Sequence, residues 1–163
     1  MPISDSVEIK IEDPGQADVF ALIEAADAYY ADLYPPENNH LLDIAALRKP
    51  EATFLVARLG GRVVGYGALV RHAEGYGEIK RMFVDTAARG RRIGRRLVER
   101  LEDVARAASL DLVRLETGTR QPEAIALYRA AGYGETGPFG AYPADPLSLF
   151  MEKRLGSGKI GSV

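Results

Sequence analysis

The stretch TFLVARLGGRVVGYGALV, residues 53–70, constrains the fold of this chain most. It reads as two β-rich runs joined by Gly60 and Gly61, a two-residue loop suited to the positive φ angles of a tight turn, so an antiparallel β-hairpin is expected. The flanking segments supply the rest of a sheet and its cover. VEIKI (Val7 to Ile11) alternates apolar and charged residues like a half-buried strand, and EDPG turns the chain into a helix over Gln16 to Leu33. That helix carries Val19, Phe20, Ile23, Ala26, Tyr30 and Leu33 at helical spacing and stops at the proline pair of YPPENN. A short helix is expected around Leu41 to Leu47, then the hairpin, then a strand in GYGEIKRMFVD (75–85). From Gly90 the positions Ile93, Leu97, Leu101, Val104 and Ala108 mark one face of a helix. DLVRLETG (111–118) is another strand. QPEAIALYRAAGY (121–133) is a helix with Pro122 in its first turn and Gly132 as its stop, and LSLFMEKRL (147–155) is a last strand. The order β, α, α, β, β, β, α, β, α, β defines an α/β protein with one mixed sheet covered by helices. Residues 1–155 read as a single domain and 156–163 as a flexible tail.

Within this frame, RMFVDTAARGRRIGRRLVERL places Arg89, Arg91, Arg92, Arg95, Arg96 and Arg100 around the start of a helix. A helix N-terminus already carries partial positive charge, so cations crowded there are repelled. A strand, a short loop and RGRRIG opening a helix is also the arrangement in which free backbone N–H groups cradle phosphate oxygens. The competing reading is a solvated basic face; the position of the charges, and Gly90 and Gly94 beside them, favour a bound polyphosphate. The formal net charge is only -2 and the pI about 5.8, so the basic cluster is local and general nucleic-acid binding is disfavoured. No cysteine is present, which excludes disulfides, thiolate metal ligands and an acyl-cysteine intermediate, and His40 and His72 are too few for a histidine-rich metal site. The N-terminal segment lacks a basic stretch followed by an apolar one, and no apolar run reaches membrane-spanning length. A cytoplasmic protein of bacterial type, with no metal, no membrane and no nucleic-acid partner, is expected.

The loop matches neither a P-loop nor a dinucleotide fingerprint. It resembles the acetyl-CoA pyrophosphate loop of the GNAT N-acyltransferase superfamily, whose Gln/Arg-x-x-Gly-x-Gly/Ala pattern falls on Ala87, Gly90 and Arg92. Only the first glycine of that pattern matches outright, while Arg89-Gly90, Ile93 and Gly94 match the common RGxxIG form. QPEAIALYRAAGY resembles the family's N-x-x-A-x-x-L-Y-x-x-x-G-F/Y helix through Ala124, Leu127, Tyr128, Gly132 and Tyr133, with Gln121 where asparagine is usual. LETG, GPFGAY and DPLSLF resemble a bacterial subgroup described as small-molecule acetyltransferases. The resemblance spans Val7 to Leu155. It implies a central, mostly antiparallel sheet with a parallel splayed pair and about four flanking helices. It implies acetyl-CoA as co-substrate, with Met82, Phe83 and Val84 along the pantetheine arm and Arg89, Gly90, Arg91, Arg92, Ile93, Gly94 and Arg95 about the pyrophosphate. Gln121, Ala124 and Tyr128 complete the cofactor contacts.

Acyl transfer from a thioester to an amine needs a proton acceptor, a place for charge on the carbonyl oxygen, and a proton for the departing thiolate. By the same resemblance Glu78 takes the position of a glutamate base and Tyr128 that of the tyrosine that protonates the thiolate. Each has a bland alternative: Glu78 as an exposed strand glutamate paired with Lys80 or Arg81, and Tyr128 as a buried tyrosine packed on the sheet with its hydroxyl satisfied elsewhere. The acceptor side falls on Tyr30, Tyr34, His40 and Glu116, with the GPFGAYPADP loop, acids and aromatics that would suit a cationic amine. The leading expectation is an N-acetyltransferase acting on a primary amine of a small molecule by direct transfer in a ternary complex, as monomer or homodimer. A non-catalytic acyl-CoA sensor and an arginine-based nucleic-acid binder are the alternatives.

Overall fold

Gly60 and Gly61 adopt φ values of 59° and 84°, and the runs they join pair antiparallel as β2 (Ala52–Leu59) and β3 (Arg62–His72). The computed structural model describes residues 6–36, 43–88 and 90–156. β1 (Val7–Ile11) pairs with β2, and the chain then crosses the sheet in α1 (Ala17–Leu33) and α2 (Ile44–Leu47). Asp43 caps α2 by accepting from the Ala46 N–H at 2.8 Å; the expected start of this helix at 41–42 lies outside the described residues. β4 (Tyr76–Val84) follows β3, and a 3-10 turn at Thr86–Ala88 leads to α3 (Ile93–Ala107). β5 (Leu112–Gly118), α4 (Pro122–Ala130), β6 (Gly134–Thr136) and β7 (Ser148–Arg154) complete the chain.

The seven strands run in the order β1-β2-β3-β4-β5-β7-β6. All neighbours are antiparallel except β4 and β5, which pair in parallel only at Gly77↔Val113, Glu78↔Arg114 and Ile79↔Leu115. Past these residues the two strands part. α1 and α2 cover one face, where Val19, Ile23 and Ala26 pack on Phe54, Val56, Tyr66 and Ala68. α3 and α4 cover the other, with Leu97, Leu101 and Tyr128 packed among Leu55, Leu69, Ile79, Leu115 and Met151. A third cluster, Tyr76, Leu112, Phe139 and Phe150, lies on the α1 side of β4, β5 and β7.

Three differences from the sequence expectation have physical causes. β6 is an extra strand: at three residues it is too short for alternation to register, and its pairing with β7 creates it. Phe20 falls on the apolar spacing of α1 but is 39% exposed, because Val19, Ile23 and Ala26 already fill the line of contact with the sheet. The third concerns the arginines. Arg96 and Arg100, one helical turn apart, donate to the carbonyls of Val7 and Ile9 at 3.1 Å each. They tie α3 to the edge strand β1 and account for two of the six cations without any phosphate.

Candidate active site

The chain enters α3 through two left-handed residues, Gly90 at φ 91° and Arg92 at φ 61°. Arg92 stands where the acetyltransferase pattern has glycine or alanine, so a side chain with a Cβ adopts the conformation the pattern reserves for small residues. The α3 ladder begins at the Arg96 N–H, which donates to the Arg92 carbonyl at 3.0 Å. The N–H groups of Ile93, Gly94 and Arg95 precede it and the Arg92 side chain does not cap them. These donors and the positive end of the helix dipole face the same cleft. Gly94 sits at a close approach: a Cβ there would lie 3.1 Å from Leu127 Cδ2 of α4, which would have to give by a few tenths of an ångström.

The opposite wall is a β-bulge. Between the pairs Tyr66↔Phe83 and Ala68↔Lys80, β4 spends two residues, Arg81 and Met82, against Gly67 alone. Arg81 takes the left-handed φ of 62°. Met82 lies over Gly67, where a Cβ would meet its sulfur. Helix α1 holds the bulge at two points three residues apart: Asp27 accepts from Arg81 at 2.5 Å, and the Tyr30 hydroxyl donates to the Met82 carbonyl at 3.3 Å. The Tyr30 ring meets Phe83 edge-on at 6.4 Å, and Phe83 stacks on Tyr66 at 5.9 Å. A bulge takes backbone groups out of the ladder, and here the Met82 carbonyl leaves it to accept from Tyr30 at the edge of the cleft.

The cleft encloses about 470 Å³ and is lined by Tyr29, Tyr30, Met82, Phe83, Val84, Gly90, Arg92, Ile93, Gly94, Arg95, Gln121, Glu123, Ala124, Leu127, Tyr128 and Ala130. Tyr128 is 5% exposed. Burial, with Tyr30 and Glu116 nearby, holds its hydroxyl far above the ordinary phenol range, so it is a neutral donor at every physiological pH. Tyr30 is likewise pushed up to about 12 by burial.

Glu78 is on the other face and lines a second cavity of about 340 Å³ with Val70, His72, Tyr76, Lys80, Gly140, Ala141, Tyr142 and Pro143. It is 3% exposed. His72 Nε2 lies 2.9 Å from its Oε1, while the Tyr142 hydroxyl at 2.5 Å and Lys80 Nζ at 3.4 Å donate to its Oε2. Lys80 also bonds the Tyr142 hydroxyl. The expected pairing with Lys80 is present, but the carboxylate is buried within a network and not on an exposed strand. Glu116 occupies the β5 position next after the last parallel pair, on the same face as Arg114 and Glu78, and accepts from Ser148 Oγ at 2.7 Å. Lys80 is its counterpart on β4. These two side chains flank the point where the strands part.

Most of the expected cofactor residues come together, and the exceptions are specific. Met82, Phe83, Val84, Gly90, Arg92, Ile93, Gly94, Arg95, Gln121, Ala124 and Tyr128 line the cleft. Arg91 is exposed on the loop and is not part of the wall. Arg89 and His40 lie outside the described residues. Tyr30, expected on the acceptor side, lines the same cleft as Tyr128. Tyr34, also expected there, is buried: its hydroxyl accepts from the Arg120 N–H at 3.0 Å and from Gln121 Nε2 at 3.3 Å, and its ring fills the space a Cβ on Gly118 would need. It is a strut between α1 and the end of β5. The loop expected on the acceptor side does form one wall of the second cavity through Gly140, Ala141, Tyr142 and Pro143, while sequence reasoning passed over His72 and Tyr76 as site residues, and over Asp27 and Arg81. Only the positive φ of a non-glycine residue marks the bulge, and sequence does not display it.

A mixed sheet parted at one parallel pair, with an uncapped helix N-terminus on one face and carboxylates on the other, is an arrangement suited to an acyltransferase. The chain belongs to the acetyltransferase (GNAT) family, whose family model matches residues 19–133. It is 58% identical over 151 residues to an IAA acetyltransferase of Azospirillum brasilense, covering 92% of this chain and 99% of that one. A crystal structure of a Klebsiella pneumoniae protein assigned as an acyl-CoA N-acyltransferase superposes with a TM-score of 0.82 at 38% identity, covering 93% of this chain and 99% of that one. The PaiA N-acetyltransferase of Thermoplasma acidophilum, in complex with coenzyme A, shares the fold at a TM-score of 0.68 and 19% identity, over 91% of this chain and 99% of that one. The chain is accordingly an N-acetyltransferase by family.

Proposed function

We propose that this chain transfers the acetyl group of acetyl-CoA to the primary amine of a small molecule, by direct transfer in a ternary complex. The observation that carries the reading is the end of the β4–β5 pairing at Ile79↔Leu115, just beyond which Glu116 lies near enough to the cleft residue Tyr128 to raise its pKa. The cleft fits a CoA thioester: uncapped helix N–H groups and Arg92 and Arg95 suit the pyrophosphate, and the bulge at Arg81 and Met82 supplies backbone groups for an amide-bearing arm. Acetyl-CoA would supply the activated acyl group. The relative named IAA acetyltransferase supports acetyl transfer as the reaction. Residues 1–155 act as one catalytic domain in this reading, in the cytoplasm, as monomer or homodimer; among the described residues no helix is long and apolar enough to cross a membrane.

In this mechanism Tyr128 donates a hydrogen bond to the leaving sulfur. With its hydroxyl so far above the thiol range of about 8.5, donation stabilises the thiolate while full transfer of the proton from tyrosine is uphill. Glu78 is the base implied by family position, acting directly or through water. A second reading has a specific observation behind it: Glu116 stands at the parting of the strands and is close enough to Tyr128 to raise its pKa, while Glu78 sits one step back and already accepts three bonds. The two are separated by Glu78→Gln and Glu116→Gln, assayed for thiol release against a panel of amines. The base variant loses about 10²–10⁴-fold in turnover with acetyl-CoA affinity unchanged. Full activity in both variants, with acetyl-CoA still bound, defeats carboxylate base catalysis here.

A further inference from the structure

The second cavity is outside the CoA cleft, and its position says what it receives. It runs along β4 from Lys80, at the parting of the strands, to His72 and Tyr76 at the far end, and residues 140–143 form its outer wall. Anything seated there with one end at Lys80 and Glu116 presents that end to the opening through which the acyl group arrives.

The lining also says what kind of body fits. Val70, Tyr76, Tyr142, Pro143 and Ala141 are largely apolar surface. The polar groups among them are spent on one another: Glu78 is met by Lys80, His72 and Tyr142 together. Further, His72 stacks on Tyr76 at 4.6 Å, Lys80 stands over the Tyr142 ring at 5.0 Å, and Arg114 stands over the Tyr76 ring at 4.8 Å. Glu78 is the one carboxylate among the lining residues, so a second ammonium on the acceptor would be desolvated there against a carboxylate already met by three groups, with cations already placed at the aromatic faces. About 340 Å³ is the scale of a small organic body, well short of a folded peptide segment.

Resting on the function proposed above, we infer that this cavity seats the body of the acceptor, and that the acceptor is a primary amine carried on a single uncharged, ring-bearing apolar group. The amine nitrogen forms the new C–N bond with the acetyl carbon, the C–S bond breaks, and the proton lost by the amine balances the thiolate, giving an acetamide and free CoA thiol. A polyamine or a lysine-rich peptide is the excluded class.

The test uses the full chain saturated with CoA and two probe amines, phenethylamine and spermidine, followed by amide NMR and in parallel by acetyl-CoA-dependent thiol release. Phenethylamine is expected to shift the resonances of Gly77, Gly140, Ala141 and Tyr142, and to be acetylated with a KM at least about tenfold below that of spermidine. Ala141→Trp, at an exposed position of the cavity wall, fills the space without touching the core. It is expected to raise the phenethylamine KM about tenfold or more while the CoA affinity stays at the wild-type value. Equal shifts at those residues with spermidine, shifts by phenethylamine confined to the Tyr30 and Leu127 cleft, or an unchanged KM in Ala141→Trp each overturn the inference. Loss of CoA perturbation at Gly90 and Gly94 would instead count against the proposed function, and the amine titration still reads the cavity on its own.

Discussion

At the scale of a residue, Tyr128 separates packing from chemistry. Its ring meets Tyr133 edge-on at 5.9 Å and is buried in the core under α4, while its hydroxyl borders the cleft. Tyr128→Phe keeps the ring and deletes the donor, so acetyl-CoA binding and melting temperature are expected to stay near wild type while kcat falls about 10²-fold or more. Thioesters of more acidic thiols are expected to suffer less. Normal turnover in this variant would return Tyr128 to a packing role. This residue was legible because it sits in a helix motif whose other positions fix the register. Glu78 was half legible: Lys80, two residues along the same strand, could be foreseen as its partner. His72 and Tyr142 could not, because they reach Glu78 from 6 and 64 positions away by strand pairing and loop closure.

At the scale of elements, the bulge in β4 depends on α1. Arg81 is held in a conformation that costs a non-glycine residue about 1 kcal/mol or more, and its side chain is 6% exposed against Asp27. Asp27→Asn removes that counter-charge and is expected to cost about 1–2 kcal/mol, less than a fully buried pair because Asp27 is 40% exposed. It also loosens the backbone at Met82, so KM for acetyl-CoA is expected to rise several-fold with the effect on kcat smaller. Arg81→Gly relieves the φ strain while losing the same ion pair, so its stability can stay near wild type by cancellation, and an unchanged KM for acetyl-CoA in both variants is the result that makes the clamp idle. The arginines make a second experiment. Replacing Arg96 and Arg100 together by alanine frees two carbonyls on β1 and is expected to lower stability by about 1–2 kcal/mol with acetyl-CoA affinity unchanged. Gly90→Val, at φ 91°, is expected to do the reverse and weaken acetyl-CoA binding about tenfold or more, as calorimetric titration would register. Charge alone had suggested one purpose for all six cations. Arg92 and Arg95 line the cleft while Arg96 and Arg100 hold a sheet edge, and that division depends on where β1 lies, which the local sequence around α3 does not encode.

At the scale of the whole molecule, six of the seven described strands were readable: a first strand, one hairpin, two more strands separated by a helix, and a final strand. Which neighbours would part was readable only through resemblance, since nothing in GYGEIKRMFVD or DLVRLETG distinguishes a paired half from an unpaired one. Acid stability belongs to this scale too. Glu12 and Asp18 are held below the ordinary carboxylate range by hydrogen bonds from Arg58, and Asp13 by hydrogen bonds from Arg48, all where β1 turns into α1. A carboxylate depressed in the folded state stabilises above its unfolded pKa of about 4 and loses that contribution as pH falls through the folded value. Calorimetry is therefore expected to give a melting temperature nearly flat from neutral pH down to about 5 and falling below about 4, with Arg58→Gln lower at neutral pH and less steep in acid.

The parallel seam has a mechanical meaning as well. β2 and β3 share eight register pairs and β5 and β7 share seven, but β4 and β5 are stitched by three. The molecule is thus two stiff plates on a short spine, and its catalytic opening is the unstitched part of that spine. In the function proposed above, a co-substrate whose amide-bearing arm lies in the gap would supply the missing stitches. The empty protein is the unfinished object: its amide protons are expected to exchange fastest along that line and to slow when CoA is added, as hydrogen exchange would register.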